Sequence, residues 1–111
     1  MLYKNGICEK HTFFEDAVAI PLIFSLPGRL PSAAVSEAMV SNIDMMPTIL
    51  RFLDVPVPAF VEGQDLAPTF TGSEVQDYVF AEYYHSLDPC RMVRDKRYKY
   101  IHTEEDICEL Y

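Results

Sequence analysis

Residues 20–26 read Ile20-Pro21-Leu22-Ile23-Phe24-Ser25-Leu26 and are followed at once by Pro27-Gly28. A short apolar run bounded by turn residues is typical of a strand that is covered on both faces, as in a parallel α/β sheet. Pro21 must lie at the start of this strand, because proline cannot donate a hydrogen bond to a sheet ladder. The run therefore predicts a buried strand at the edge of an α/β body.

The residues before this run predict a short helix over about residues 13–18. Thr12-Phe13-Phe14-Glu15 fits a capping box, in which Thr12 caps the helix and Glu15 bonds back to the cap residue. Asp16 is the sequence neighbour of Glu15, and adjacent helical residues point in different directions. The two carboxylates are therefore not predicted to work as a pair.

After the run, residues 35–41 predict a second short strand, and a longer helix follows. Its apolar residues recur at i, i+3, i+4 and i+7, which places them on one helical face. Asp44 is the predicted N-cap, and the helix is predicted to end near Asp54. Pro47 suits the first turn, where its missing amide hydrogen has no intrahelical partner to lose. The apolar positions are Met46, Ile49, Leu50 and Leu53.

The second half of the chain predicts an antiparallel sheet. Residues 55–71 contain three prolines and predict an irregular connection. Residues 77–84 are rich in aromatic and β-branched side chains and predict a strand. Residues 91–94 and 97–102 flank Asp95-Lys96 and predict a hairpin. The fold class is α/β, an α+β fragment: residues 1–72 form part of an α/β domain, and residues 73–111 form a small antiparallel-sheet subdomain.

The charge balance excludes two classes of partner. The 111 residues include 17 acidic and 9 basic side chains, a formal net charge of −8. Binding to nucleic acid or to an anionic membrane surface requires a basic face, so neither partner is expected. The longest apolar stretch, residues 17–26, is too short to span a bilayer. No signal peptide is visible, and the sequence assigns no compartment.

The cysteines and histidines predict no metal site. Cys8, Cys90 and Cys108 form no C-x-x-C pair, and free thiols and disulfides both stay open. Cys8 with His11 has the spacing of half a zinc site, but no second half follows. His85 and His102 have no matching acid or nucleophile nearby in sequence and are interpreted as structural or surface residues.

Four segments resemble motifs of the sulfatases, which belong to the alkaline-phosphatase-like superfamily. Residues 9–23 resemble the family's G-K-x-T-x-[FY]-E-x-x-V-R-[VI]-P segment, and residues 40–50 resemble its V-S-x-x-D-[LI]-x-P-T-[LI]-L helix. Residues 63–68 resemble its G-x-S-L-x-P loop, and residues 91–111 resemble its terminal sheet. Each motif alone is weak, but all four occur in the family's order. Ala19 departs from the pattern, because the family commonly has arginine there.

The resemblance implies a sulfuric-ester hydrolase that acts on sulfated sugars or aryl sulfates. It also implies that the family's formylglycine nucleophile and its calcium ligands lie upstream of this chain, in a missing N-terminal half. We therefore expect the chain to be a C-terminal fragment that lacks catalytic residues and shows no sulfatase turnover by itself. We also expect it to self-associate, because the strand at residues 20–26 would lack neighbours.

Within the chain, the resemblance assigns substrate binding to Lys10. The family's lysine at this position contacts a sulfate oxygen, and an ammonium group supplies a point charge with three donors. The predicted helix after Lys10 would add free amides and a dipole that favour an anion. His11 is adjacent and is the second candidate substrate-binding residue.

Two alternatives stay open. A phosphonate or phosphodiester hydrolase of the same superfamily would use the same body with a different missing half. A non-catalytic interaction module would suit the acidic charge and the absence of catalytic groups. The upstream reading frame distinguishes an enzyme from the module, because an enzyme would encode the nucleophile motif [CS]-x-P-[SA]-R and an Asp-[His/Asn]-Gly loop there. Only the missing half distinguishes a sulfatase from a phosphonate or phosphodiester hydrolase.

Overall fold

A computed structural model describes residues 12–84, 89–104 and 107–111. The chain divides into two compact units, the first made of residues 12–24 with 80–111 and the second of residues 25–79, within the described ranges. The helices of the described residues lack the combined length and hydropathy of a membrane span. The predicted domain boundary after residue 72 concerns a longer parent protein and stays a prediction.

A short helix, α1 (Glu15–Val18), precedes a four-stranded sheet in the first unit. The strands are β1 (Val79–Tyr83), β2 (Cys90–Arg94), β3 (Lys99–Thr103) and β4 (Glu109–Leu110), and they lie in the order β1-β2-β3-β4. Strand β2 pairs antiparallel with β3, and β3 pairs antiparallel with β4. The predicted antiparallel sheet is confirmed.

The predicted hairpin between β2 and β3 is confirmed, but its loop is longer than Asp95-Lys96. Pairing ends at Arg94 opposite Lys99, which leaves residues 95–98 as the loop. The loop closes with a hydrogen bond of 3.0 Å from the Asp95 amide to the Tyr98 carbonyl oxygen. The Asp95 carboxylate stabilises it by accepting from two loop amides, as aspartate commonly does in turns.

The core of the first unit lies on one face of this sheet. Phe13 packs with Cys90, Met92 and Ile101, and all four side chains are buried. Side chains alternate between the two faces along β3, so that Ile101 is buried whereas Tyr100 is exposed. The hydrophobic effect thus fixes the register of the hairpin, since a one-residue slip would turn Met92 and Ile101 towards solvent.

The strand predicted for residues 20–26 is wrong for the described chain. The segment has no strand assignment, and Ile23 is 87% exposed. A strand requires a hydrogen-bonded neighbour, and the described residues provide none for this segment. Residues 35–41 likewise form no strand. The described chain still has the few helices and the small antiparallel sheet of the predicted α/β fragment.

The second unit is organised by helix α2, Met45–Phe52, and by the buried side chains at its start. The helix was predicted from its apolar periodicity and is confirmed. The helix ends at Phe52, two residues before the predicted end near Asp54. At Asp54 the backbone turns, with a positive φ of 56°. A 3-10 helix, Asn42–Asp44, leads into α2, and a second, Ala67–Thr71, follows the irregular connection.

Asp44 is the N-cap residue of α2, as predicted, but its side chain makes no capping hydrogen bond to that helix. Its carboxylate is fully buried and instead accepts from the Ser41 amide at 2.7 Å, the Gln64 amide at 2.8 Å and Gln76 Nε2 at 2.8 Å. One buried carboxylate thereby fixes three chain segments of the second unit. Each of these three contacts is a donor, so the buried carboxylate oxygens have hydrogen-bond partners.

Candidate functional site

The predicted substrate-binding residues, Lys10 and His11, lie outside the described residues. Their roles therefore stay predictions. The described chain resumes at Thr12, directly after them, and enters α1 three residues later. The surroundings of α1 within the first unit are thus the part of the structure that bears on this site.

The entry into α1 is a local turn and not the predicted capping box. The Phe14 amide donates to Thr12 Oγ1 at 3.3 Å, and α1 has no side-chain cap. The Glu15 side chain points to cations on the sheet instead of back to Thr12. The capping box fails because ionic hydrogen bonds hold a carboxylate more strongly than a neutral backbone amide does.

Glu15 links α1 to the hairpin through two cations. Arg94 Nη1 lies 2.6 Å from each Glu15 carboxylate oxygen, and Lys99 Nζ lies 3.3 Å from Oε2. The hydrogen bond from Arg94 is the main cause that lowers the pKa of Glu15, with a further contribution from Lys99. Glu15 is therefore ionised at neutral pH and acts as a structural anion, not as a general acid.

The hairpin loop presents two further cations beside this ion pair. Asp95 Oδ1 accepts from the amides of Arg97 at 2.7 Å and Tyr98 at 2.6 Å, and these hydrogen bonds lower the pKa of Asp95, with Tyr98 contributing most. The fixed loop leaves the side chains of Lys96 and Arg97 exposed. The Arg97 guanidinium lies over the Tyr98 ring, 4.8 Å from its centroid, which orients the cation by a cation–π contact.

Together these residues line an open pocket of about 400 Å³. Its floor is aromatic, because Phe14 and Tyr111 meet edge to face with ring centroids 6.3 Å apart. Lys99 Nζ lies 5.3 Å from the centroid of the Tyr111 ring. Lys96 and Arg97 of the hairpin loop line the same pocket as these two rings. The lining also holds the carboxylates of Glu15, Asp16 and Asp95. Its aromatic rings and its basic side chains together suit a ring-shaped ligand that carries negative charge.

Sequence reasoning did not single out this pocket as a site. Residues 91–111 were interpreted only as a terminal sheet. The sequence does contain a signal for a cationic site, because residues 94–99 hold four of the nine basic residues of a strongly acidic chain. The contribution of Phe14 and Tyr111 could not be predicted in the same way, since they meet only through the fold.

Among the histidines and cysteines, the structure shows one contact that the sequence did not predict. His11, His85 and Cys8 lie outside the described residues. His102 was interpreted as lacking a nearby nucleophile, and the structure corrects this: its Nδ1 lies 3.2 Å from Cys108 Sγ. The strand pairing that produces this contact was not part of the sequence interpretation. Cys90 is buried, and Cys108 is exposed.

The described residues do not fit a metal site. Within residues 12–84, 89–104 and 107–111, no three His, Cys, Asp or Glu side chains are placed to hold one ion. Of the three carboxylates that line the pocket, Glu15 is engaged by Arg94 and Asp95 by its own loop, and Asp16 is the third. The calcium ion that the family resemblance implies therefore has no ligand set among these residues.

Comparison with known proteins identifies the family. Residues 4–111 match the family model described as N-sulphoglucosamine sulphohydrolase, C-terminal. The chain is 30% identical to an N-acetylglucosamine-6-O-sulfatase of Bacteroides thetaiotaomicron, over 97% of this chain and 21% of that protein. It is 32% identical to a Delta 4,5-hexuronate-2-O-sulfatase of the same organism, over 92% of this chain and 23% of that protein.

A solved structure agrees with the sequence relatives. The structure of BT4656 in complex with its substrate D-glucosamine-2-N,6-O-disulfate superposes with a TM-score of 0.54 and 26% identity, over 61% of this chain and 16% of that chain. The chain spans about a fifth of the length of the curated relatives named above. The predicted resemblance to sulfatases is confirmed, and the chain belongs to the N-sulphoglucosamine sulphohydrolase C-terminal family.

Proposed function

We propose that the parent protein is a sulfuric-ester hydrolase that acts on a sulfated sugar, and that this chain supplies part of its substrate-binding surface. The observation that carries the proposal is the family match over residues 4–111 together with relatives that are sulfatases. A ligand of the BT4656 structure, a disulfated glucosamine, supports a sulfated sugar over an aryl sulfate as the substrate class.

Lys10 is proposed to bind the sulfate group. Cleavage of a sulfate ester spreads negative charge over several oxygens, and a fixed ammonium group lowers the energy of that charge. The helix dipole contributes little to this role, because α1 has only four residues. Support comes instead from the cations of the hairpin, which lie on the pocket that α1 helps to line. His11 is proposed as a second donor to the same substrate.

The pocket between α1 and the hairpin is proposed to contact the sugar. Arg97 is exposed and already oriented over Tyr98. Within residues 12–84, 89–104 and 107–111 its guanidinium has no salt bridge that a substrate anion would have to break. Arg94 and Lys99 are held by Glu15 and serve to position the hairpin. The rings of Phe14 and Tyr111 offer an apolar surface on which a sugar ring can pack.

The nucleophile and the metal are proposed to come from outside this chain. In the full-length protein, calcium would stabilise negative charge on the sulfate and a formylglycine would provide the attacking group. The residues of this chain would bind and orient the substrate and exclude water around it. The isolated chain is therefore expected to give no turnover of a chromogenic aryl sulfate with calcium present.

The experiment uses the full-length protein that contains this chain. Lys10→Gln should lower kcat/KM on a glucosamine sulfate by about 10²-fold or more, the range seen when one donor to a transition-state oxyanion is lost. Lys10→Arg should recover part of the activity, because it restores the charge. Activity of Lys10→Gln equal to the wild type would overturn the role of Lys10, and a full-length protein that hydrolyses only phosphonates or phosphodiesters would overturn the substrate class.

A matched pair of arginine variants tests the pocket. Arg97→Gln should raise KM several-fold with a smaller change in kcat, because it removes a binding contact remote from the reacting bond. Arg51→Gln is the control, since Arg51 is an exposed arginine of the second unit whose ion pair with Asp65 is long, at 3.8 Å. Equal kinetics for the two variants would exclude the pocket from substrate binding.

A further inference from the structure

Cys108 and His102 are brought together by the strand pairing of β3 with β4. Tyr100 lies opposite Leu110, and Ile101 lies opposite Glu109. Continuing this antiparallel register by one residue places Cys108 opposite His102. Cross-strand neighbours have their side chains on one face and within contact distance. The observed separation of 3.2 Å between Cys108 Sγ and His102 Nδ1 is the result.

The sulfur has a second polar neighbour on the same face of β3. A hydrogen bond from the Tyr100 hydroxyl, and then one with the His102 ring, lower the pKa of the Cys108 thiol. The same contact raises the pKa of Tyr100, as expected for a hydroxyl that donates to a sulfur bearing negative charge. Cys108 is exposed, whereas the other described cysteine, Cys90, is buried.

We propose that Cys108 is a covalent modification site, at which His102 activates the thiol for exchange with low-molecular-mass disulfides. Such a site needs a nucleophile, an adjacent base and an open approach. Cys108 supplies the nucleophile and the open approach, and His102 supplies the base. The fold places the pair without using either residue in the core of the first unit.

The exchange balances without another reactant. Cys108 gives its proton to His102 Nδ1, and the thiolate attacks one sulfur of the small disulfide. A new bond forms between Cys108 Sγ and that sulfur as the original sulfur–sulfur bond breaks. The leaving thiolate takes the proton from the imidazolium. Cys108 is oxidised, the small disulfide is reduced, and His102 returns to its neutral form.

Other charged groups near the pair are accounted for. Arg91 lies opposite His102 on β2, and its guanidinium is engaged by Glu82 at 3.0 Å and by Glu104 at 3.7 Å. Glu109 follows Cys108 but lies opposite Ile101, on the other face of the strand. The sequence neighbours Glu105 and Asp106 lie outside the described residues. The hydrogen-bonding groups that face the sulfur in the described chain are thus the Tyr100 hydroxyl, the His102 ring and the backbone of Thr103.

The test measures adduct formation with oxidised glutathione on the intact 111-residue chain, resolved for each cysteine by peptide mass spectrometry. Cys108 should react about three- to tenfold faster at pH 7 than the same cysteine in an unfolded peptide of residues 104–111. Its rate should rise with pH around a midpoint below about 8.5, the value of an ordinary thiol. Cys90 is the internal control and should stay unmodified while the chain is folded.

Two variants separate the activating role from a structural one. His102→Asn should return the midpoint towards that of the peptide and slow the reaction at pH 7. Tyr100→Phe removes a single oxygen and should give a smaller shift in the same direction. A variant that unfolds is recognised by modification of Cys90, and the other variant then decides. A wild-type midpoint at or above that of the peptide, or one unchanged in both variants, would overturn the proposal.

Discussion

The Glu15 carboxylate lies 2.6 Å from Arg94 Nη1 and thereby joins α1 to a strand that follows 79 residues later. No local sequence rule pairs these two residues, because the contact exists only once the hairpin has formed beside the helix. Glu15 was predicted to bond to its own backbone, and the cationic hairpin attracts it instead. The ion pair thus connects the segment that follows Lys10 to the loop that carries Arg97.

The first prediction concerns the pH dependence of this contact. The pKa of Glu15 is lowered by folding, so its stabilisation is present above about 4.5 and is lost as the pH falls through the folded-state value. Glu15 is 55% exposed, and solvent screening limits the effect to less than about 1 kcal/mol. Glu15→Gln should reduce the unfolding free energy in urea at pH 7 by that amount.

The difference between wild type and Glu15→Gln should shrink as the pH is lowered below about 4.5. Glu62→Gln is the control, because Glu62 is an exposed glutamate of the second unit. Glu62→Gln should leave the unfolding free energy unchanged both at pH 7 and below about pH 4.5. A Glu15 effect that is constant with pH would show that the ion pair does not stabilise the chain.

The second prediction concerns the buried Asp44 carboxylate. Its Oδ1 accepts from the Gln64 amide, and its Oδ2 accepts from the Ser41 amide and Gln76 Nε2. Asp44→Ala leaves these donors without their acceptor and should cost about 3 kcal/mol or more. Asp44→Asn should cost about 1–3 kcal/mol, because one oxygen becomes an NH₂ group that faces a donor.

Chemical denaturation measures both Asp44 variants. Asp77→Ala is the matched control, since Asp77 is an exposed aspartate in the same unit, and it should change the unfolding free energy by less than about 0.5 kcal/mol. Asp44→Asn at least as stable as the wild type would contradict the proposed network of three donors.

The third prediction concerns the close approach of Gly63 to Ile43. A Cβ atom added at Gly63 would overlap the Ile43 carbonyl oxygen, and backbone cannot move aside as a flexible side chain can. Gly63→Ala should therefore destabilise the second unit by more than about 3 kcal/mol. The loop and the 3-10 helix that precedes α2 would have to separate.

Gly28→Ala provides the comparison for Gly63→Ala. Gly28 has a φ of +82° but open space around its Cα, so its substitution should cost only the strain of a left-handed residue, about 1–2 kcal/mol. Thermal unfolding of the two variants separates steric exclusion from backbone strain. Equal losses of stability would mean that the contact with Ile43 relaxes easily.

The comparison of sequence with structure has a consistent physical pattern. Helix α2 and the hairpin were predicted because their periodicity and turn residues act within a few positions. The edge strand at residues 20–26 failed, because a strand depends on a neighbour that local sequence does not contain. The capping box predicted for Glu15 failed for a related reason, because its carboxylate binds cations that lie far away in sequence. Asp44 has the predicted N-cap position, but its carboxylate binds Gln64 and Gln76, which local sequence could not predict.

The candidate site follows the same pattern. Lys10 and His11 were named from a motif, and their roles stay predictions. Arg97 was visible as part of a cationic cluster but was interpreted only as part of a sheet. The contact of His102 with Cys108 depends on the register between β3 and β4. Strand β4 has only two residues, which is too short a segment for the sequence to predict that register.

The last prediction concerns the apolar segment at residues 20–26. Ile20, Leu22 and Ile23 are exposed by 49%, 38% and 87%, which leaves apolar surface in water beside other exposed hydrophobic side chains. The 111-residue chain should therefore self-associate at micromolar concentration, as light scattering would detect. Ile23→Ser should shift the chain towards monomer without loss of folded signal, because Ile23 contributes nothing to the buried core of the first unit.

Ile101→Ser is the matched control and should unfold that core, since Ile101 is 4% exposed. A wild-type chain that stays monomeric across that range would show that the segment is covered in solution.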